Sequence, residues 1–441
     1  MPRVLSPRAR ARGASGLTLI ETLVTLAVLT VVMLGLYALL DSSNKLAKQE
    51  TNVAEAQQSV RIGILEVTRV IRQGRVGGLF IANAVLPIEN NSPGGAASKL
   101  TDIAGVDHYV RKGTDVIGVR GIISGDKYGL STGDVTCGGS CATTNAMTVT
   151  IRATSSVGIV NFPSGDAPSI AGKTRPFYFV VADSSAEMIT TGSGSYLIPV
   201  YSVGLVDTAA SPWYTQTATT FTFVMDPSNA DARKLGAAAP SAVSLDKPFS
   251  GGVVDEIRFF VDEGDTDKST STLDTHPSLA EATFDPSTGN WEIQPLIEDV
   301  EDFQVAYGVD GIDATPPDHG ISPAVYDASG TNLDEWVGNV ADEVTGSLPL
   351  TATDPKRVEA FIDSSTPSGP TSPVPAVAAL RSVMVGLLVK SADPDLRYNG
   401  PGAQGFSVLD STARSFSNAA STGRTYRRRL QRFAVSLRNY Q

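Results

Sequence analysis

Glu21 is the residue of this 441-residue chain whose position most demands a chemical reason. It lies inside an apolar run from Leu17 to Leu40 whose other ionisable side chain is the quiet Tyr37. An unpaired carboxylate at depth in a spanning helix costs about 2.5–3.5 kcal/mol, so Glu21 is a functional candidate by default. Cys137 and Cys141 are the next reactive pair, separated by Gly138-Gly139-Ser140. They are free thiols if the segment stays in the cytosol and a local disulfide if it is exported. The run Asp262-Glu263-Gly264-Asp265-Thr266-Asp267 sets Asp262, Asp265 and Asp267 near the alternation that calcium favours. Its glycine is misplaced for an EF-hand and no spaced terminal Glu follows, so a solvated acidic turn is the simpler reading. His108, His276 and His319 are isolated, and with one Cys pair they give no zinc spacing. A Gly-x-Ser-x-Gly elbow and a P-loop are both missing, so neither catalytic residues nor a cofactor are expected.

The elements that must carry Glu21 follow from periodicity. Residues 17–40, at about 1.5 Å each, span roughly 36 Å, enough to cross a bilayer with some tilt. Arg3, Arg8, Arg10 and Arg12 precede the run and set the N-terminus inside and the bulk outside. A secretory signal would place a small-residue cleavage site after Leu40, where DSSNKLAKQE instead continues a helix. A plain membrane anchor leaves Glu21 unexplained. Beyond the span, Val53, Ala56, Val60, Ile64, Val67 and Ile71 mark one apolar face, opposite Glu55, Gln58, Arg61, Glu66, Arg69 and Arg72. Gly74, Gly77 and Gly78 end it. The reading is one helix over about 18–73, bare in its first half and packed in its second.

After Gly78 the period falls to two. Met147/Val149/Ile151, Phe221/Phe223/Met225, Val383/Val385/Leu387/Val389 and Phe433/Val435/Leu437 each alternate with polar or small residues. These predict half-buried antiparallel strands. Polar Gly/Pro/Ser-rich connections are expected at 226–252, 262–290 and 364–375, with a soft boundary near 250. Net charge is −11, and removing the four leader arginines leaves −15. Such an acidic body argues against nucleic acid as a partner. Arg427–Arg429, Arg432 and Arg438 form a local basic patch that strand alternation divides between two faces.

Gly16-Leu17-Thr18-Leu19-Ile20-Glu21 resembles the prepilin peptidase motif of the type IV pilin superfamily, with Leu17 where Phe is usual. The resemblance implies cleavage after Gly16 and N-methylation of Leu17. The new amine of one subunit would then pair with Glu21 of its neighbour in a filament core, where low dielectric makes the pairing orienting. Later stretches resemble PilW-type large minor pilins: Arg69, Ile71, Arg72 and Gln73 at the helix end, Gly113–Val116 with Val119-Arg120, Leu296–Phe303 leading to Tyr307–Asp310, and Tyr426–Asn439. The connections 226–290 and 311–375 fall outside these stretches.

The expected fold is α+β: a long N-terminal α-helix, transmembrane in one half and amphipathic in the other, packed on a large antiparallel β-rich head. The parts are a cytoplasmic leader (1–16), a membrane or filament-core helix half (17–40), an amphipathic half (41–75) and an exported head (76–441). The resemblance implies a structural minor pilin that primes pilus assembly and sits at or near the tip. It starts in the inner membrane with its head periplasmic and ends at the cell surface. Implied partners are prepilin peptidase, other minor pilins, the major pilin, the inner-membrane assembly platform and a large tip adhesin. The rivals are a minor pseudopilin of a type II secretion system and a pilus-mounted adhesin or DNA-uptake module, for which Trp213, Tyr214 and Trp336 would have to line a groove.

Overall fold

A computed structural model describes residues 18–73, 85–88, 99–111, 114–123, 125–137, 146–153, 162–191, 194–209, 212–226, 249–263, 276–309, 336–337, 380–391, 408–409 and 428–436. In chain order the elements are α1 (Leu19–Gln73), β1 (Val85–Ile88), β2 (Lys99–Thr101), β3 (Asp107–Tyr109), β4 (Val116–Gly121), β5 (Lys127–Leu130) and β6 (Val135–Cys137). Next come β7 (Met147–Arg152), β8 (Phe177–Thr191), β9 (Gly194–Val206), β10 (Tyr214–Gln216), β11 (Thr220–Met225) and β12 (Phe249–Asp262). The last are β13 (Ser278–Asp285), β14 (Asn290–Glu298), β15 (Val300–Val309), β16 (Trp336–Val337), β17 (Leu380–Lys390) and β18 (Arg428–Ser436). Two compact units result, Met1–Glu55 and Ala56–Gln441.

In the first unit α1 carries no charged side chain from Thr22 to Leu40, as a membrane-crossing helix requires. Leu19–Lys48 is long and apolar enough to cross a bilayer. Its threonines do not interrupt it. Thr22 and Thr30 donate their hydroxyls to the carbonyls of Leu19 and Leu26 at 2.8 and 2.7 Å, and Thr25 donates to that of Glu21. Each hydroxyl is thus satisfied inside the helix and presents no open donor to lipid.

In the second unit the end of α1 lies on a sheet. Val60, Val67, Val70 and Ile71 are buried, while Arg61, Ile62, Leu65, Arg69 and Arg72 are exposed. The buried stripe meets Ile117 and Val119 of β4, Phe259 and Val261 of β12, Ile297 of β14, Phe303 and Val305 of β15, and the valines of β17. Gly63 makes this closeness possible, because a Cβ there would stand 2.0 Å from Ile297 Cδ1. The strands beneath belong to two sheets, one running β1-β4-β12-β13-β14 and the other β16-β15-β17-β18. All their pairings are antiparallel. The predicted strands at 147–151, 221–225 and 382–390 are β7, β11 and β17. Phe433 and Val435 lie in β18, and Leu437 is outside the described residues.

A second core forms a separate lobe of this unit. Phe179, Phe221, Phe223, Met147, Val149 and Ile151 fill it from β8, β11 and β7. β12 serves both lobes: Phe249–Val254 pairs with β8, and Asp255–Phe259 pairs with β4. Residue 250, where the sequence suggests a boundary, therefore falls within a continuous strand. The connections expected at 226–252 and 262–290 are shorter than the sequence suggests. β12 begins at Phe249, and β13 fills 278–285.

Candidate functional site

Thr18 is the last non-helical residue before α1, and its carbonyl accepts the first helical hydrogen bonds, from Glu21 N–H at 3.0 Å and Thr22 N–H at 3.2 Å. The Glu21 carboxylate folds back over this turn. Its Oε2 accepts the Thr18 backbone N–H at 3.2 Å and the Thr18 hydroxyl at 3.1 Å. This satisfies an N-terminal donor that the helix leaves open and sets a negative group at the positive end of the helix dipole. The Thr-x-x-Glu spacing is the sequence signal for such a cap, and reading Glu21 only as a charge in an apolar run missed it. Gly16 and Leu17 lie outside the described residues.

The other sequence candidates separate. Cys137 closes β6 beside the second core, and Cys141 lies outside the described residues. Asp262, the first calcium candidate, ends β12 and contacts His108 Nδ1 at 2.7 Å. Asp102 stands 3.7 Å from His108 Nε2, so this carboxylate pair clasps an imidazole of the β2–β3 hairpin. Asp265 and Asp267 are outside the described residues. Among those described, no group of three His, Cys, Asp or Glu residues could hold a metal ion. His276 pairs with Asp299 at 2.8 Å, and His319 is not described.

The stretches that carried the resemblance gain physical reasons. At the helix end Arg69 binds Glu66 and donates to Gln73 at 2.9 Å. The Glu66 hydrogen bond raises the guanidinium's pKa. Glu281 of β13 faces this pair. Burial raises its carboxyl pKa, Glu66 adds to the rise and Arg69 opposes it. Asp115 joins the start of β4 to β15, accepting Val305 N–H at 2.8 Å while its own N–H donates to Phe303. Asp299 takes the left-handed conformation (φ 62°) between β14 and β15, which Asp tolerates better than most residues. A glycine would fit that backbone and lose the carboxylate, which also lies 3.8 Å from Lys390. Lys390 is itself buried, and burial lowers its pKa against the pull of Asp299 and Glu301.

The basic C-terminal strand divides as alternation predicts. Arg428, its side chain only 8% exposed, donates to Glu301 at 2.5 and 3.1 Å, while Arg429 and Arg432 are exposed on opposite faces. Trp213 and Tyr214 pack edge to face at 4.8 Å, and Trp213 reaches Phe177 and Phe221 at 5.6 and 5.7 Å. Both rings are half-buried against the second core. The Trp336 side chain is not described.

Residues 11–37 match the family model described as the prokaryotic N-terminal methylation motif, and residues 258–439 match that of type IV pilus-assembly protein W. The second match contains the Leu296–Asp310 and Tyr426–Asn439 stretches. It also runs through 258–290 and 311–375, which the sequence reading left outside the resemblance. The helix-end and 113–120 stretches lie before it. No curated protein and no solved structure matches the chain.

Proposed function

We propose, from the premise that this chain belongs to the PilW type IV pilus-assembly family and carries its N-terminal methylation motif, that it primes pilus assembly and occupies a place at or near the tip. As a pilin-family protein it is structural and not an enzyme. The motif implies processing by prepilin peptidase and assembly with pilus partners, and the apolar helix implies inner-membrane anchoring before assembly.

One observation carries the finer reading. A helix with a membrane-length apolar half and a carboxylate in its first turn leads into a β-rich head with apolar cores of its own. A head over residues 76–441 is bulkier than a close-packed shaft accommodates, so the subunit suits the end of a filament. Glu21 supports a closer placement. A subunit at the outermost position has no neighbour above whose amine needs a counter-charge. One that keeps this carboxylate docks beneath another minor subunit. After cleavage at Gly16, the Leu17 amine and Glu21 form the docking pair. The same helix then serves first as anchor and later as filament core, beside other minor pilins and the major pilin, on the assembly platform.

Deletion of the gene tests the reading. We expect few or no surface pili with secretion intact. Normal piliation with lost secretion would instead make the chain a pseudopilin of a type II system. Glu21→Ala should still be processed and should fail to co-purify with other minor pilins. Normal complex formation and piliation would remove the docking role.

A further inference from the structure

The head carries two exposed apolar pairs on opposite sides of one sheet. Alternation divides β12 between those sides. Ile257, Phe259 and Val261 join the core under α1, while Phe260 joins Ala280, Ala282 and Trp291 in a core that Leu100 of β2 helps to cover. So α1 lies over one face and the β2–β3 hairpin over the other. On the outer side of α1, Ile62 and Leu65 stand three apart on one helix face, 56% and 69% exposed. Arg61, Arg69 and Arg72 surround them, and the acid among them, Glu66, is bound by Arg69. At the hairpin tip Ile103 and Val106 are exposed in the same way. This tip is held in one shape. Asp102 N–H donates to the Val106 carbonyl at 2.8 Å, and Val106 N–H donates to Asp102 Oδ1 at 2.7 Å. Gly105 turns at φ 83°, and Ile103 N–H donates to the Trp291 carbonyl at 3.0 Å. Asp102 and Asp107 flank the tip, and Lys99 is bound to Asp107 at 2.8 Å.

We propose that the head binds a second copy of itself: Ile103 and Val106 at the hairpin tip of one copy seat against Ile62 and Leu65 on α1 of the next. The two pairs match in chemistry. Each is aliphatic, one framed by acids and the other by arginines. Tip on tip, or helix on helix, would set like charges together. An anionic lipid surface would repel the tip for the same reason. The tip cannot reach α1 of its own chain, because the sheet lies between them. The contact is therefore heterologous, each copy offering a tip to one neighbour and a helix to another. A tip already fixed by its hydrogen bonds loses little freedom on binding. Two side chains from each copy make a small interface, weak between free molecules. Copies anchored in one membrane by Leu19–Lys48 meet at a raised effective concentration, which offsets that weakness. This pairing of heads is separate from the docking of Glu21.

The test places two differently tagged full-length chains in the same membranes and reads how much of the second tag is captured with the first. A tip variant, Ile103→Gln with Val106→Gln, is compared with a helix variant, Ile62→Gln with Leu65→Gln. Each alone should lose self-capture by at least about tenfold, since an apolar pair then faces amides. Mixed in one membrane, the two variants should recover about half of native capture, because the intact helix of one still receives the intact tip of the other. Native capture should fall as salt rises, and Glu21→Ala should leave it unchanged. Native self-capture by either variant would overturn the proposal, as would no recovery in the mixture. Loss of self-capture in Glu21→Ala would move the contact to the start of the helix and overturn it too. If the native chain captures no second copy and the tip variant instead loses other minor pilins, the surface belongs to a different subunit and the proposal falls. A cross-link between Leu65→Cys in one copy and Val106→Cys in another reads the contact without weakening it, so a variant that fails to fold does not decide the outcome. That cross-link is expected only when the two copies share a membrane, and its absence there would count against the contact.

Discussion

Adding one methyl group at Gly63 should loosen the head at the place where α1 meets it. The new Cβ would lie 2.0 Å from Cδ1 and 2.5 Å from Cγ1 of Ile297, which is only 1% exposed and cannot swing clear. Alanine is intrinsically better than glycine in a helix by about 1 kcal/mol. Overpacking an enclosed site costs about 1–3 kcal/mol. Gly63→Ala should therefore be neutral to destabilising, by roughly 0–2 kcal/mol in net effect. The sharper forecast concerns the pair. Ile297→Ala alone leaves a cavity and should cost about 2–5 kcal/mol. In the double variant the alanine methyl enters that space, so the combined loss should fall below the sum of the single losses by roughly 1–2 kcal/mol. The assay is guanidinium unfolding of the detergent-solubilised chain followed by tryptophan fluorescence, since Trp291 shares β14 with Ile297. If Gly63→Ala is stabilising by its full helix propensity and additive with Ile297→Ala, the close approach of helix and sheet is wrong.

Four further outcomes are expected. Gly16→Val should leave a precursor with its arginine-rich leader, while the native chain begins at N-methyl-Leu17; a mature start anywhere after residue 40 would refute this. Arg428→Ala should destabilise by about 3 kcal/mol, because it removes both hydrogen bonds that Arg428 donates to a Glu301 whose side chain is 9% exposed. Arg428→Met with Glu301→Leu should recover most of that loss in the same unfolding assay, and no recovery would deny the pair its role. Burial, reinforced by Glu66, raises the Glu281 pKa in the folded chain, so its stabilising effect is complete below the unfolded pKa and is lost as pH rises through the folded one. Glu281→Gln should flatten stability against pH over that window, and an unchanged slope would contradict the assignment. Cys137 and Cys141 should resist thiol labelling in the unreduced surface protein, and replacing both with serine should cost no more than about 2 kcal/mol, since the closed loop is short. Two reactive thiols would refute the bridge.

Much of this architecture was legible because it is periodic. The helix was expected over 18–73 and spans Leu19–Gln73, since a 3.6-residue stripe survives wherever one face meets a core. β7, β11 and β17 were equally plain, each with one buried face. β13 falls within an expected connection because it lies inside its sheet, and its burial alternates only over Ala280–Thr283, breaking at the Leu279/Ala280 irregularity and again at Phe284. Its turn was nevertheless written in Asp285-Pro286-Ser287-Thr288-Gly289, where Gly289 takes φ 70°. The pairing of Arg428 with Glu301 joins residues 127 apart, which no local pattern encodes. Around Asp262 a sequence shows only the acidic neighbours and hides the His108 that folding brings to it. At the membrane end, Thr18 and Glu21 stood only three apart, and their contact could have been read from spacing alone.

β12 has a mechanical consequence. Because one unbroken strand contributes to both lobes, a pull that reaches the second lobe along this strand passes into the first through peptide bonds. The pairs flanking that strand, with β8 and β5 at one end and β4 and β13 at the other, are then loaded in shear, so many ladder bonds resist together rather than parting one at a time. A subunit exposed to traction gains from this arrangement a stiff link in place of a hinge.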